Sequence, residues 1–304
     1  MIDTPAGGTN AVGQMLAHVG DEWTLLVMQQ ALLGATRYGQ FTARLPISNS
    51  VLIRRLGTLT EGGLLQRNRY QERPPRDEYL TTARGRALWP VLVSIWEWER
   101  QWVLEHREPL PAMRHLGCGA DFSPVLTCGT CREPTVAGDV TARWGPSGGW
   151  SRSLPAVTTR RRSADDRRDS PSGLFPQTMS VLGNRWAFAI LVAAFTGTSR
   201  FSEFQRVLAA PPASLADRLQ TFRDNEILTT SDGDPEYRLT PKGSAFLPVL
   251  LTALAWAQRS FPSAEGPAVI LTHSRRGHAF APVLRCDRCG DRLSGPTVSV
   301  VERP

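Results

Sequence analysis

Residues 20–41 read GDEWTLLVMQQALLGATRYGQF, and residues 183–204 read GNRWAFAILVAAFTGTSRFSEF. Trp23 aligns with Trp186, Tyr38 with Phe201 and Phe41 with Phe204, all at one offset. The same offset holds for Leu52 and Leu215, Arg55 and Arg218, and Leu65 and Leu228. Past that point the second copy is shorter. Tyr79 then matches Tyr237, Gly85 matches Gly243, WPVL (89–92) matches LPVL (247–250), and Trp98 matches Trp256. FSPVLTCGTC (122–131) against FAPVLRCDRC (280–289) extends the match. A unit of roughly 125 residues therefore occurs twice, and both copies are expected to share one fold.

Each unit parses the same way. From Met15 to Leu33 apolar residues recur at helical spacing and stop at Gly34, which predicts one helix. RYGQFTARL is a short helix with its aromatic side chains inward. PISNSVLIRRLGTLTEGG begins with turn chemistry, offers Ser48 or Asn49 as an N-cap, and stops at Gly62-Gly63. LLQRNRYQERPPRDEYLTT reads as two strands around a basic, proline-containing loop. TARGRALWPVLVSIWEWERQWV returns to helix, with Trp89, Trp96 and Trp102 among its apolar positions. Three helices, a hairpin and a helix make the winged-helix layout, in which the third helix enters the major groove and the hairpin flanks it.

The expected fold is mainly α with small β-hairpins, an α+β class. It comprises two tandem winged-helix domains, each followed by a small cysteine-containing β tail. The expected divisions are 1–143 with its tail at 114–143, a flexible linker at 144–173, and 174–304 with its tail at 272–304. The linker assignment rests on Gly, Pro, Ser and mixed charge with little to bury. Its Arg160, Arg161 and Arg162 read first as a solvated charge run and second as a phosphate contact.

A chain of 304 residues suits two domains. An apolar share of 41% with 21% charged residues suits domains with real cores. A net charge of +7 favours an acidic partner such as nucleic acid, although charge alone also fits an anionic membrane surface. Lys242 is the only lysine, so almost all the positive charge is arginine. No stretch is long and apolar enough to span a membrane, and the N-terminus does not read as a signal peptide. The expected compartment is the cytoplasm, where the five cysteines are reduced, metal-bound or redox-active. No nucleophile elbow, phosphate loop or paired-carboxylate motif stands in a supporting context, and the C-x-x-C pairs lack a βαβ setting. An enzyme is not expected.

The combination of Gly20-x-x-Trp23, an aromatic second helix, Leu52-x-x-Arg55-Leu56 and Pro74-Pro75-x-x-x-Tyr79-x-x-Thr82 resembles the HxlR family of winged-helix bacterial transcription regulators. The resemblance covers about 85 residues of each unit. It implies sequence-specific binding to double-stranded DNA and transcriptional control. Family members usually carry one such domain and act as homodimers, and some respond to reactive small molecules or redox signals. Two copies in one chain imply a built-in pseudo-dimer with recognition helices one DNA turn, about 34 Å, apart. The alternative is a small-molecule or redox sensor whose second copy mainly dimerises or binds an effector. A further homodimer of the whole chain stays open.

Candidate base readers are Ser48, Asn49, Ser50 and Arg54, since Asn and Arg can contact adenine and guanine edges bidentately. The plainer reading makes Ser48 and Asn49 helix caps and Arg55 half of an internal ion pair. The first wing offers Arg67, Arg69, Arg73 and Arg76 to phosphates. The second wing, TTSDGDPEYRLT, is short and acidic, so the second copy is expected to bind DNA more weakly. Its helix keeps Arg218 and Arg223 as candidates. Trp23 and Trp186 read as core or dimer-face residues.

Each tail carries four candidate metal ligands. The first has His115, Cys118, Cys128 and Cys131, and the second has His273, His278, Cys286 and Cys289. C-x-x-C presents two thiolates to one metal, and the expectation is structural zinc in one or both tails. A C-x-x-C redox switch and metal-free thiols are the competing readings. The sets do not correspond fully, because Cys118 aligns with Arg276 and His278 with Ala120.

Overall fold

A computed structural model describes residues 7–18, 20–104, 110–153, 178, 185–231 and 233–301. The first helical stretch is broken in two, α1 (Ala11–His18) and α2 (Glu22–Leu32), where the apolar period predicts one helix. The break has a local cause. The Asp21 carboxylate accepts from the Thr24 backbone N–H at 3.0 Å and caps α2. Gly20 lies so close to the Leu16 carbonyl that a Cβ there would sit 2.4 Å from it.

Next come α3 (Tyr38–Arg44) and α4 (Asn49–Glu61). Helix α4 buries Leu52, Leu56 and Leu59 on the face that meets α2, an apolar stripe at helical spacing. Strands β1 (Leu65–Gln71) and β2 (Arg76–Thr81) pair antiparallel as the wing. The short α5 (Ala83–Arg86) leads into α6 (Trp89–Trp102). The first tail contributes β3 (Ala112–His115), β4 (Pro124–Cys128) and β5 (Val140–Trp144), and α7 (Trp150–Ser153) follows. The second half repeats the order as α8 (Arg185–Phe195), α9 (Phe201–Leu208), α10 (Pro212–Asp224), β6 (Leu228–Ser231), β7 (Asp234–Leu239), α11 (Pro241–Ser244) and α12 (Leu247–Ser260). Its tail is β8 (Val269–His273), β9 (Pro282–Cys286) and β10 (Val298–Val301).

The halves interlock as a two-fold dimer would. Helices α6 and α12 pack together. Trp98 Nε1 donates to the Lys242 carbonyl at 3.0 Å, and its counterpart Trp256 Nε1 donates to the Arg84 carbonyl at 3.0 Å. Such reciprocity defines an isologous contact. The tails follow the same rule. In the β4–β9 ladder Leu126 faces its own counterpart Leu284, Pro124 faces Cys286, and Cys128 faces Pro282. The other two ladders are β3 with β10 and β5 with β8. Every ladder between named tail strands thus joins one tail to the other, whereas the sequence suggested two separate tails. Strands of four or five residues cover little alone, and crossing them buries Phe122, Leu126, Phe280 and Leu284 together.

Residues 144–153, assigned to the linker by composition, are packed. Trp144 meets Trp150 edge-on at 5.3 Å, Asn10 Nδ2 donates to the Ser147 carbonyl at 3.1 Å, and Arg152 pairs with Glu265 at 2.6 Å. Residues 154–173, including Arg160, Arg161 and Arg162, lie outside the described residues. No helix among the described residues is long and apolar enough to cross a membrane.

Candidate nucleic-acid interface and metal clusters

Burial of Leu52, Leu56 and Leu59 forces the opposite face of α4 outward. Ser48, Asn49, Ser50, Ile53 and Arg54 are all exposed there. Ile53 is 62% exposed, an unusual placement for a large aliphatic side chain. Sequence reasoning did not single it out, because its outward direction depends on how α4 rolls against α2. The Tyr38 hydroxyl donates to Asn49 Oδ1 at 3.0 Å, which ties the start of α3 to the start of α4. Arg55 turns inward and pairs with Asp21 at 2.6 Å, the internal ion pair that sequence allowed.

A cleft of about 380 Å³ separates the start of α3 from the wing and is lined by Arg37, Tyr38, Tyr70, Arg76 and Tyr79 among others. The Arg37 guanidinium lies 4.6 Å from the Tyr70 ring centre. The wing cations fall into two groups. Arg67 donates from Nε to Asp77 at 2.7 Å, and Arg69 pairs with Asp77 and Glu72. The Arg67 hydrogen bond holds the Asp77 carboxyl below the usual carboxylate range. Arg73 and Arg76, like Arg54, form no ion pair among the described residues. The cleft sets Arg76 beside Tyr38, whose hydroxyl reaches Asn49 at the start of α4.

The second half presents a different surface. Where α4 shows Asn49, Ser50, Ile53 and Arg54, α10 shows Pro212, Ala213, Ala216 and Asp217. Arg218 corresponds to Arg55; its side chain is 12% exposed and pairs with Asp217 at 2.7 Å. Arg223 is exposed but lies eleven residues into α10, about 16 Å along the helix from its start. Arg200 and Arg238 both pair with Glu236.

The tail ligands form two clusters, and each draws on both tails. Cluster A holds His115 and Cys118 from the first tail with Cys286 and Cys289 from the second. Cluster B holds Cys128 and Cys131 from the first with His273 and His278 from the second. The eight candidates are all assembled, but not in the within-tail sets that the sequence suggested, because the strands that carry them cross between the tails. In cluster A the His115 Nδ1 lies 3.4 Å from Cys118 Sγ and 3.3 Å from Cys289 Sγ, and the Cys118 and Cys286 sulfurs are 3.9 Å apart. In cluster B, Cys131 Sγ is 3.5 Å from His273 Nδ1, and Cys128 Sγ is 4.0 Å from His278 Nδ1.

Four similar turns present these groups. In each, the residue after the second position donates its N–H back to the carbonyl of the first: Gly119 to His115 at 2.8 Å, Arg132 to Cys128 at 2.8 Å, Gly277 to His273 at 2.7 Å and Gly290 to Cys286 at 2.9 Å. All four donors have positive φ, which three meet with glycine. The turns aim N–H groups at sulfur. The Ala120 N–H and the His115 side chain bring the Cys118 thiol down to about 7. The Asp291 N–H favours the Cys289 thiolate, but burial and the neighbouring Cys286 and Cys118 outweigh it and push Cys289 up to about 11. Thiols packed this closely resist full ionisation together, and a cation among them would relieve the repulsion.

Comparison with known proteins converges on one family. The HxlR-like helix-turn-helix family matches the chain twice, over residues 18–107 and 181–265. An uncharacterized HTH-type transcriptional regulator of Mycobacterium tuberculosis is 37% identical over 136 residues, covering 45% of this chain and 86% of that protein. Uncharacterized HTH-type transcriptional regulators of Synechocystis and Bacillus subtilis are each 38% identical. The first matches over 93 residues, 29% of this chain and 69% of that protein. The second matches over 82 residues, 27% and 76%.

Proposed function

The chain belongs to the HxlR-like helix-turn-helix family, and on that premise we propose that it regulates transcription by reading duplex DNA mainly through α4 and the first wing. Its work is binding rather than catalysis, and its place is the cytoplasm with the DNA. The observation that carries the reading is the α4 face, where Asn49, Ser50 and Arg54 offer hydrogen bonds to base edges and Ile53 offers an apolar contact for a thymine methyl. The wing adds Arg73 and Arg76 for phosphates, with Arg67 and Arg69 partly neutralised beside them. The start of α3 adds Arg37.

The pseudo-two-fold arrangement offers DNA two reading heads of unequal quality. Asp217 stands where Arg54 stands, and a carboxylate at that position repels phosphate. The second half therefore completes the dimer-like body and gives weak, sequence-indifferent contact. Selection from random duplex DNA tests this. The chain should enrich one motif over bulk DNA, and Arg54→Ala should lose that preference. Failure to enrich any sequence overturns the reading.

The cofactor assigned to clusters A and B is zinc, held structurally. Zinc takes four Cys or His ligands tetrahedrally, with Zn–S near 2.3 Å and Zn–N near 2.0–2.1 Å. Those lengths place ligand sulfurs about 3.8 Å apart and sulfur and nitrogen about 3.6 Å apart. The sulfur–nitrogen separations of 3.3–4.0 Å bracket the second value, and the Cys118–Cys286 sulfur separation of 3.9 Å lies beside the first.

A further inference from the structure

We infer that clusters A and B are clasps shared between the halves, so that bound metal fixes how the two winged helices face one another. This rests on the zinc reading above and goes beyond it, since structural zinc within each tail would have no such effect.

The first support is topological. The clusters sit at opposite ends of the β4–β9 ladder, with Cys128 at one end and Cys286 at the other. Metal at both ends would pin a ribbon that joins the halves and is too short to be stable alone. Cys118 and Cys286 are 168 residues apart in the chain. A link across so long a loop removes much unfolded-state freedom.

The second support is compensation. The pseudo-two-fold carries cluster A onto cluster B except at one ligand. Cys118 falls on Arg276, which has left the cluster to pair with Glu133. The fourth ligand of cluster B is instead His278, where the first half has Ala120. A ligand absent at one point of the turn is replaced two residues later by the His278 imidazole, whose buried Nε2 has no hydrogen-bond partner among the described residues. Loose thiols have no reason to keep a count of four. All five cysteines of the chain are used. Each cluster also has one buried cysteine and one buried histidine beneath two more accessible ligands, so metal can enter from one side.

Ligand composition cannot separate shared from within-tail sites, because both divisions give one Cys3His and one Cys2His2 set. Pairs of substitutions can. Purified full-length chain is challenged with a chromogenic chelator, and tightly held zinc is counted. Wild type should hold two ions. Cys118→Ser with Cys289→Ser removes two ligands of cluster A and should leave one tight ion. Cys118→Ser with Cys131→Ser takes one ligand from each cluster and should leave none. Within-tail sites reverse this pattern, since the first pair then weakens both sites and the second pair destroys only one. The reversed pattern, or any other count, overturns the clasp while leaving zinc binding in place. A wild-type chain without zinc removes the zinc reading itself.

Hydrogen exchange on wild type, with and without chelator, guards against misfolded variants. Amides of β3, β4, β8 and β9 should lose protection on chelation while α2 and α4 keep theirs. Unchanged tail strands, or an equal loss throughout the chain, would overturn the clasp.

Discussion

Acid should loosen the contact between the halves through one histidine. His18 ends α1, stacks on Phe261 at 5.4 Å and meets Trp256 edge-on at 6.1 Å, both from the other half. The Arg84 guanidinium lies 4.6 Å from the Phe261 ring centre, and a Cβ on Gly62 would sit 2.7 Å from the His18 ring. Burial, reinforced by the Arg84 charge, lowers the His18 pKa to about 4, against 6.5 for a free side chain. The unfolded chain therefore takes up a proton before the folded one does. Stability is complete above about pH 7, falls as pH drops through 6.5, and levels off below 4. At 1.36 kcal/mol per tenfold change in proton affinity, the full loss is about 3 kcal/mol, of which roughly 2 kcal/mol falls between pH 7 and pH 5. Urea unfolding of wild type and His18→Gln at pH 7, 6 and 5 measures this. Protonation of the metal ligands affects both proteins, so the difference between their curves isolates His18. Wild type should lose about 2 kcal/mol more than the variant over that range. Parallel curves would refute the reasoning and mean that His18 is solvated in the folded chain.

Arg76→Ala should lower the slope of log affinity against log salt by about 0.9, with motif preference unchanged, in a fluorescence titration on duplex DNA. Arg54→Ala should cost about 1–3 kcal/mol on the preferred site, five- to 150-fold in affinity, with a smaller effect on bulk DNA measured in competition. Trp98→Phe leaves the buried Lys242 carbonyl without its donor and should lower stability by about 1–3 kcal/mol in chemical denaturation.

Much of this molecule was legible in its sequence because local signals agreed. Turn chemistry before α4, leucines at 52, 56 and 59, and Gly62-Gly63 after it all point to the same helix. The α1–α2 break was hidden because the apolar period runs through Gly20, and only the Asp21 cap to Thr24 marks it. Residues 144–153 look like linker by composition, yet Trp144, Trp150 and Asn10 hold them down. The candidate metal-ligand types were legible, but their grouping was not. A repeated chain offers each strand two equivalent partners, one in its own tail and one in the other, and the crossed pairing is the one that buries Phe122, Leu126, Phe280 and Leu284 together. The proposed weakness of the second reading head was half visible in its acidic wing. The other half, Asp217 in place of Arg54, needed α10 to be placed with that face outward.

A hydroxyl-radical footprint of the 304-residue chain on its selected DNA site shows whether one reading head dominates. One half-site should be strongly protected by α4 and the first wing, with fainter protection one helical turn away that does not depend on the sequence there. Two equally protected half-sites with matching sequence would contradict the unequal heads, and no footprint above bulk binding would contradict sequence reading by this chain altogether.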